Sequence, residues 1–260
     1  MTATTSTTIR QLGQTGLRID IGEDCFLFDP YLSNSVQELD APDLRRKIPI
    51  PFVPEQVTNA KWVVITHEHL DHCDPHTLPQ IAAASPGAKF MAPEPARKLM
   101  QSWGIEANRI VASTPDSQQL AESLSVKSLP SAHPKVRMGN DKQPVAVGYL
   151  ISLNDCQIYL AGDTSACEDV IEAVKKQSHI DIGLLPVNED NFFRRKRGII
   201  GNMSIREAFG LAAECGISTV VPVHWDLFEA NSTDPEEIKA VYQAYAWPFR
   251  LAMSIEEALT

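Results

Sequence analysis

Apolar and polar positions alternate over residues 17–21, and after Gly22-Glu23-Asp24 the chain resumes as Cys25-Phe26-Leu27-Phe28, a pattern that predicts a β-hairpin within 17–31. Residues 42–54 mix prolines with Arg45, Arg46 and Lys47 and predict an exposed loop. Residues 62–65 form a short apolar run, read as a strand leading directly into Thr66-His67-Glu68-His69-Leu70-Asp71-His72. Asp74-Pro75 has the cap-then-proline order of a helix start, 89–92 predicts a strand, and 95–103 predicts a helix closed by Gly104.

Residues 109–159 are poor in helix signals and read as successive strands, with Asn154-Asp155 turning a hairpin between 145–153 and 156–160. Beyond Asp163, strands and helices take turns: helix 168–177, strand 182–187, a polar loop, helix 204–215 ended by Gly216, strand 219–223, then a helix opened by Asp234-Pro235-Glu236-Glu237. Two mixed sheets with helices outside them accommodate both halves. The expected fold is therefore α/β, a four-layer αββα sandwich.

A length of 260 residues with 43% hydrophobic and 22% charged residues suits one globular domain over 1–260, whose core is large enough without disulfides. Oligomerisation is not needed to complete that core, and a homo-oligomer remains compatible with the sequence. The net charge of −10 speaks against a sequence-independent nucleic-acid binder; Arg194-Arg195-Lys196-Arg197 is the local exception. Cys25, Cys73, Cys156, Cys167 and Cys215 are an odd number without paired spacing, as expected of reduced thiols. Residues 1–8 have neither a basic start nor an apolar stretch, and no apolar run reaches the ~20 residues of a membrane span. These features predict a soluble cytoplasmic protein whose partner is a small-molecule substrate, not nucleic acid or membrane.

HEHLDH at 67–72 carries the chemistry. If strand geometry persists through it, His67 and His69 face the same way and can share a metal, while Asp71 and His72 at the turn can reach a second. Three later residues each follow a predicted strand: His133, Asp163 and His224. Alone, either histidine would read as a hydrogen-bonded structural residue, and Asp163 in Gly162-Asp163-Thr164 as a helix cap. Together with HEHLDH they make a metal site the better reading. His76 and His179 are given no role.

This combination resembles the metallo-β-lactamase superfamily, whose HxHxDH motif is followed by a histidine, a bridging aspartate and a last histidine. The resemblance implies one metal on His67, His69 and His133, another on Asp71, His72 and His224, and Asp163 between them. The expected cofactors are two divalent metal ions, zinc or manganese first and iron also fitting the imidazole and carboxylate set. Two cations about 3.5 to 4 Å apart bring a water's pKa towards ~7, so the hydroxide they hold is the expected nucleophile. Asp71 and Asp163 are the candidate catalytic carboxylates that orient its proton.

Within the superfamily the chain resembles the L-ascorbate-6-phosphate lactonase family through residues 13–17, the HEHLDH segment, Gly162-Asp163, Arg197-Gly198-Ile199 with Met203, and Val221-Pro222-Val223-His224-Trp225-Asp226 with Asp234-Pro235-Glu236-Glu237-Ile238. Members of that family tend to be longer at both ends and to carry two adjacent histidines where this chain has His224-Trp225. The resemblance implies opening of a lactone or related ester, with Arg197 and Arg194 as candidate binders of a sugar phosphate. The alternatives are a phosphodiesterase resembling N-acylphosphatidylethanolamine phospholipase D, an iron-dependent persulfide dioxygenase, and a binding module without catalysis.

Overall fold

The hairpin expected near the start belongs to a longer meander, in which β1 (Thr7–Gly13), β2 (Gly16–Ile21) and β3 (Asp24–Phe28) pair antiparallel. Strands β4 (Ala60–Val64), β5 (Lys89–Ala92) and β6 (Ile110–Ala112) add to β3 in parallel, completing a six-stranded sheet in chain order. The second sheet contains β7 (Gln118–Ala121), β8 (Leu124–Pro130), β9 (Val147–Leu153), β10 (Cys156–Leu160), β11 (Ile180–Pro186), β12 (Ile217–Val223) and β13 (Arg250–Leu251). Its order is β13-β12-β11-β10-β9-β8-β7, antiparallel from β7 to β10 and parallel from β10 to β13. The computed structural model describes residues 6–260; of the threonine-rich start, residues 1–5 lie outside the described residues.

Helices cover the outer faces: α2 (Leu78–Ala84) and α3 (Glu94–Ser102) on the first sheet, α4 (Glu168–Lys175), α6 (Ile205–Glu214) and α7 (Pro235–Gln243) on the second. Short helices α1 (Ser35–Leu39), α5 (Phe192–Lys196) and α8 (Ile255–Ala258) complete the set. The period-2 geometry of strands explains the layering. In β3, Phe26 and Phe28 pack between the sheets with Tyr149, Ile158 and Leu160, whereas Cys25 and Leu27 face Leu78, Ile81 and Met100. On the other sheet Tyr159 and Leu185 meet Val170, Phe209 and Ile238. Helix, sheet, sheet, helix is the four-layer αββα sandwich. Among the described residues no helix is long and apolar enough to cross a membrane.

Three local readings change. The strand before HEHLDH ends at Val64, because the Thr66 amide donates to Asp29 Oδ1 (2.8 Å) instead of continuing the ladder. Helix α2 starts at Leu78, not at Pro75: Asp74 accepts from the His76 amide at 2.9 Å and from the Thr77 hydroxyl, which holds a turn there. The polar loop after β11 contains α5, capped by Asn191, which accepts from the Phe193 and Arg194 amides. Residues 42–54 form a largely exposed loop, although Leu44 is buried with Tyr31, Val36, Leu227 and Phe228.

Two bonds join the sheets at one end. The Val147 amide donates to Thr66 O at 3.0 Å and the Tyr149 hydroxyl donates to Ile65 O at 2.9 Å. Both fall where β4 leaves its sheet, so the loop that follows is held against β9.

Candidate metal centre

The predicted ligands sit just past the C-terminal ends of four strands that finish at this edge: 67–72 after β4, His133 after β8, Asp163 after β10 and His224 directly after β12. The HEHLDH segment is a loop, not an extension of β4; it turns where His69 O accepts from the His72 and Cys73 amides at 3.0 and 2.7 Å. Gly162 lets Asp163 arrive. Its φ is +62°, and a Cβ there would stand 2.9 Å from the Thr66 side chain.

The structure brings all seven residues together in two groups, His67, His69, His133 and Asp163, then Asp71, His72 and His224, with each group's ligand atoms within 4.8 Å of one another. Asp163 faces both: Oδ1 lies 3.3 Å from His72 Nε2 and 3.2 Å from His224 Nε2, and Oδ2 lies 3.6 Å from His133 Nε2. Asp71 Oδ2 is 3.3 Å from His224 Nε2, and His133 Nε2 is 3.2 Å from His69 Nδ1. His67 Nε2, His72 Nε2 and Asp163 Oδ1 are buried without a hydrogen-bond partner. Each such atom costs about 1–3 kcal/mol unless something occupies its lone pair. Imidazole nitrogens and carboxylate oxygens converging in this way fit a divalent cation.

The electrostatics suit the same occupant. Burial disfavours charge on His67, and its neighbours His72 and His69 add to that, so it is held well below the usual imidazole value. Burial likewise pushes His133 down, to about 4. For His72 and His224 burial is outweighed by carboxylates, Asp163 foremost; His72 is raised well above its ordinary value and His224 to about 9. Asp71 and Asp163 are lowered: burial opposes their charge, but His72 and His224 overcome it.

Sequence reasoning missed the residues behind the ligands. Asp29 Oδ2 lies 2.8 Å from His72 Nδ1 and accepts from the hydroxyls of Thr15 (2.9 Å) and Thr66 (2.7 Å). Gln14 Nε2 donates to Asp71 Oδ2 at 2.6 Å. Both come from turns: Gln14 and Thr15 from the β1–β2 turn, Asp29 from the end of β3. Gln14, Asp29 and His224 have φ of 50°, 40° and 61°, a left-handed conformation unfavourable to side chains and concentrated here at a functional site. The usable signal was two polar residues in the tight Gly13-Gln14-Thr15-Gly16 turn between apolar strands.

A cleft of about 390 Å³ opens over the centre, lined by His69, Asp71, Asp163 and His224, with Val36, Leu44, Ile199 and Phe228 as apolar walls and Arg197 at its side. Arg194 is elsewhere. It lines a separate cleft, and its guanidinium donates to Glu189 O at 2.6 Å and Ser232 O at 2.7 Å. His76 and His179 also lie apart from the ligands, near Glu38 (3.2 Å) and Asp181 (3.0 Å).

A family model described as the beta-lactamase superfamily domain matches residues 25–225, which include all seven candidate ligands, and the chain belongs to that superfamily. Within it, the chain is similar to proteins named UPF0173 metal-dependent hydrolases. It is 26% identical over 238 residues to one from Pyrobaculum aerophilum, covering 91% of this chain and 92% of that one. It is 28% identical over 255 residues to another from Methylacidiphilum infernorum, covering 96% and 98%. Among solved structures, a metallo hydrolase from Ignicoccus hospitalis superimposes with a TM-score of 0.65 at 19% identity, over 95% of this chain and 94% of that one. An isothiocyanate hydrolase from Delia radicum gut bacteria gives a TM-score of 0.70 at 18% identity, over 94% of each chain. At these identities the structures speak for the fold.

Proposed function

We propose that this metal-dependent hydrolase opens a lactone or related ester of a small anionic molecule, of which a phosphorylated sugar lactone is the model. The observation that carries the reading is Arg197 in the same cleft as His69, Asp71, Asp163 and His224. Arg194 is bound by backbone carbonyls and Arg195 pairs with Asp190 at 3.4 Å, which leaves Arg197 as the arginine of its run that faces the cleft. A guanidinium fork matches phosphate oxygens, and the cleft volume suits a small-molecule ring between apolar walls.

Divalent cations held by the seven residues would supply the electrophile for the attacked oxygen and lower the pKa of a water. The chain supplies the rest. Asp71 and Asp163, kept ionised by His72 and His224, can accept a hydrogen bond from the attacking water and orient it. The Gln14 amide fixes the orientation of Asp71. The apolar walls exclude bulk water from the reacting carbonyl.

The test is protein loaded separately with zinc and with manganese, assayed against phosphorylated and unphosphorylated sugar lactones, phosphodiesters, thioesters and isothiocyanates. Lactone opening with preference for the phosphorylated form is expected. Arg197→Ala should raise KM for that form by about tenfold, or ~1.4 kcal/mol, and leave the unphosphorylated lactone unaffected. Phosphodiester or thioester turnover without lactone opening would contradict the reading.

A further inference from the structure

Three carboxamides stand in a row that ends at the cleft, and none has a part in the chemistry above. Asn188 follows β11 and is fully buried, Asn202 precedes α6, and Asn231 lies in the short 3-10 turn Glu229–Asn231 with 7% of its surface exposed. Asn202 Nδ2 donates to Asn188 Oδ1 at 2.9 Å, and Asn188 Nδ2 donates to Asn231 Oδ1 at 3.2 Å. The backbone fixes the row: the Asn202 amide donates to Asn188 O and the Asp190 amide to Asn202 O, both at 3.0 Å. Gly201 packs so closely there that a Cβ would stand 2.5 Å from Asp190 N.

The two ends of the row differ. At the far end Asn202 Oδ1 is buried without a partner. At the near end Asn231 lines the same cleft as Asp163, His224 and Arg197. Its Oδ1 is taken by Asn188, and among the described residues nothing accepts from its Nδ2. The row's one buried atom without a partner is Asn202 Oδ1, whereas the Asn231 carboxamide reaches the open cleft, where a ligand can meet its free donor. An amide with one orientation locked from behind is a preorganised donor.

We infer that Asn231 is a substrate-binding residue whose Nδ2 donates to an oxygen of the ligand next to Asp163 and His224, and that Asn188 and Asn202 are positioning residues that act through it. The class of ligand, an oxygen-rich anion, rests on the hydrolase reading; the donor does not. Inorganic phosphate is a suitable probe, because its binding to the metal-loaded protein can be measured by calorimetry without turnover.

Asn231→Ala should weaken phosphate about tenfold, Asn231→Asp by more because it sets a carboxylate against the anion, and Asn188→Ala several-fold, all with metal content unchanged. Phosphate affinity equal to wild type in both Asn231 variants would overturn the inference, as would a loss that merely follows loss of metal. If the phosphate pattern holds while lactone opening is absent from every protein, the lactonase reading fails and the role of Asn231 stands.

Discussion

His72 Nδ1 and Asp29 Oδ2 lie 2.8 Å apart with both side chains fully buried, so the histidine has one orientation and presents Nε2 to Asp163. Partners of this kind, on the far side of a ligating imidazole, set its tautomer and raise its basicity. Asp29→Asn keeps an acceptor for the Thr66 amide and removes the anion beside His72. It should lower metal affinity by about 10- to 100-fold in competition with a chelator. Unchanged affinity would mean that the cation does not depend on His72.

Proton release should accompany loading. In the metal-free protein His72 and His224 are both raised, His224 to about 9, so both carry protons near neutral pH, whereas His133, at about 4, does not. A metal takes the neutral imidazole and displaces those protons. Affinity should therefore climb with pH between neutrality and about pH 9, and metal added to weakly buffered protein should acidify it.

The same shift has a stability consequence of definite sign. A histidine whose folded pKa exceeds its unfolded value of ~6.5 adds stability that is complete below that pH and is lost as pH rises through the folded value. The metal-free protein should melt progressively lower between about pH 6.5 and pH 9 through His224. A melting temperature that rises over this window would show that the carboxylates do not hold the proton.

Gly162→Ala joins a positive φ to a Cβ 2.9 Å from Thr66. A cost of about 1–3 kcal/mol is expected, read as a melting temperature lower by roughly 2–4 °C per kcal/mol. Thr66 also holds Asp29, so metal affinity should fall together with stability.

What could be read from the chain was whatever is local. Period-2 alternation in β2, the Asp234 cap of α7 and the Ser204 start of α6, where Ser204 and Glu207 form a capping box, depend on neighbours a few residues apart. HEHLDH was legible because four potential ligands fall within six residues, and His133, Asp163 and His224 because each follows an apolar strand. Asp29 was not legible, Gln14 only as a polar residue in a tight turn, and Asn231 not at all. Each is a single polar residue whose partner lies tens of residues away, at His72, Asp71 and Asn188, so the role exists only once the sheets have met. The short helices α1 and α5 span barely more than one turn and leave no helical period to detect. Arg194 and Arg197 share one basic run, and only the fold separates a guanidinium bound to carbonyls from one at the cleft.

The most direct test is elemental analysis of the purified protein beside His67→Ala and Asp163→Ala, each dialysed against metal-free buffer after loading. Because Asp163 faces both histidine groups, the wild type should retain about two divalent ions per chain and Asp163→Ala should lose most of both. Metal content unchanged in both variants would contradict the site.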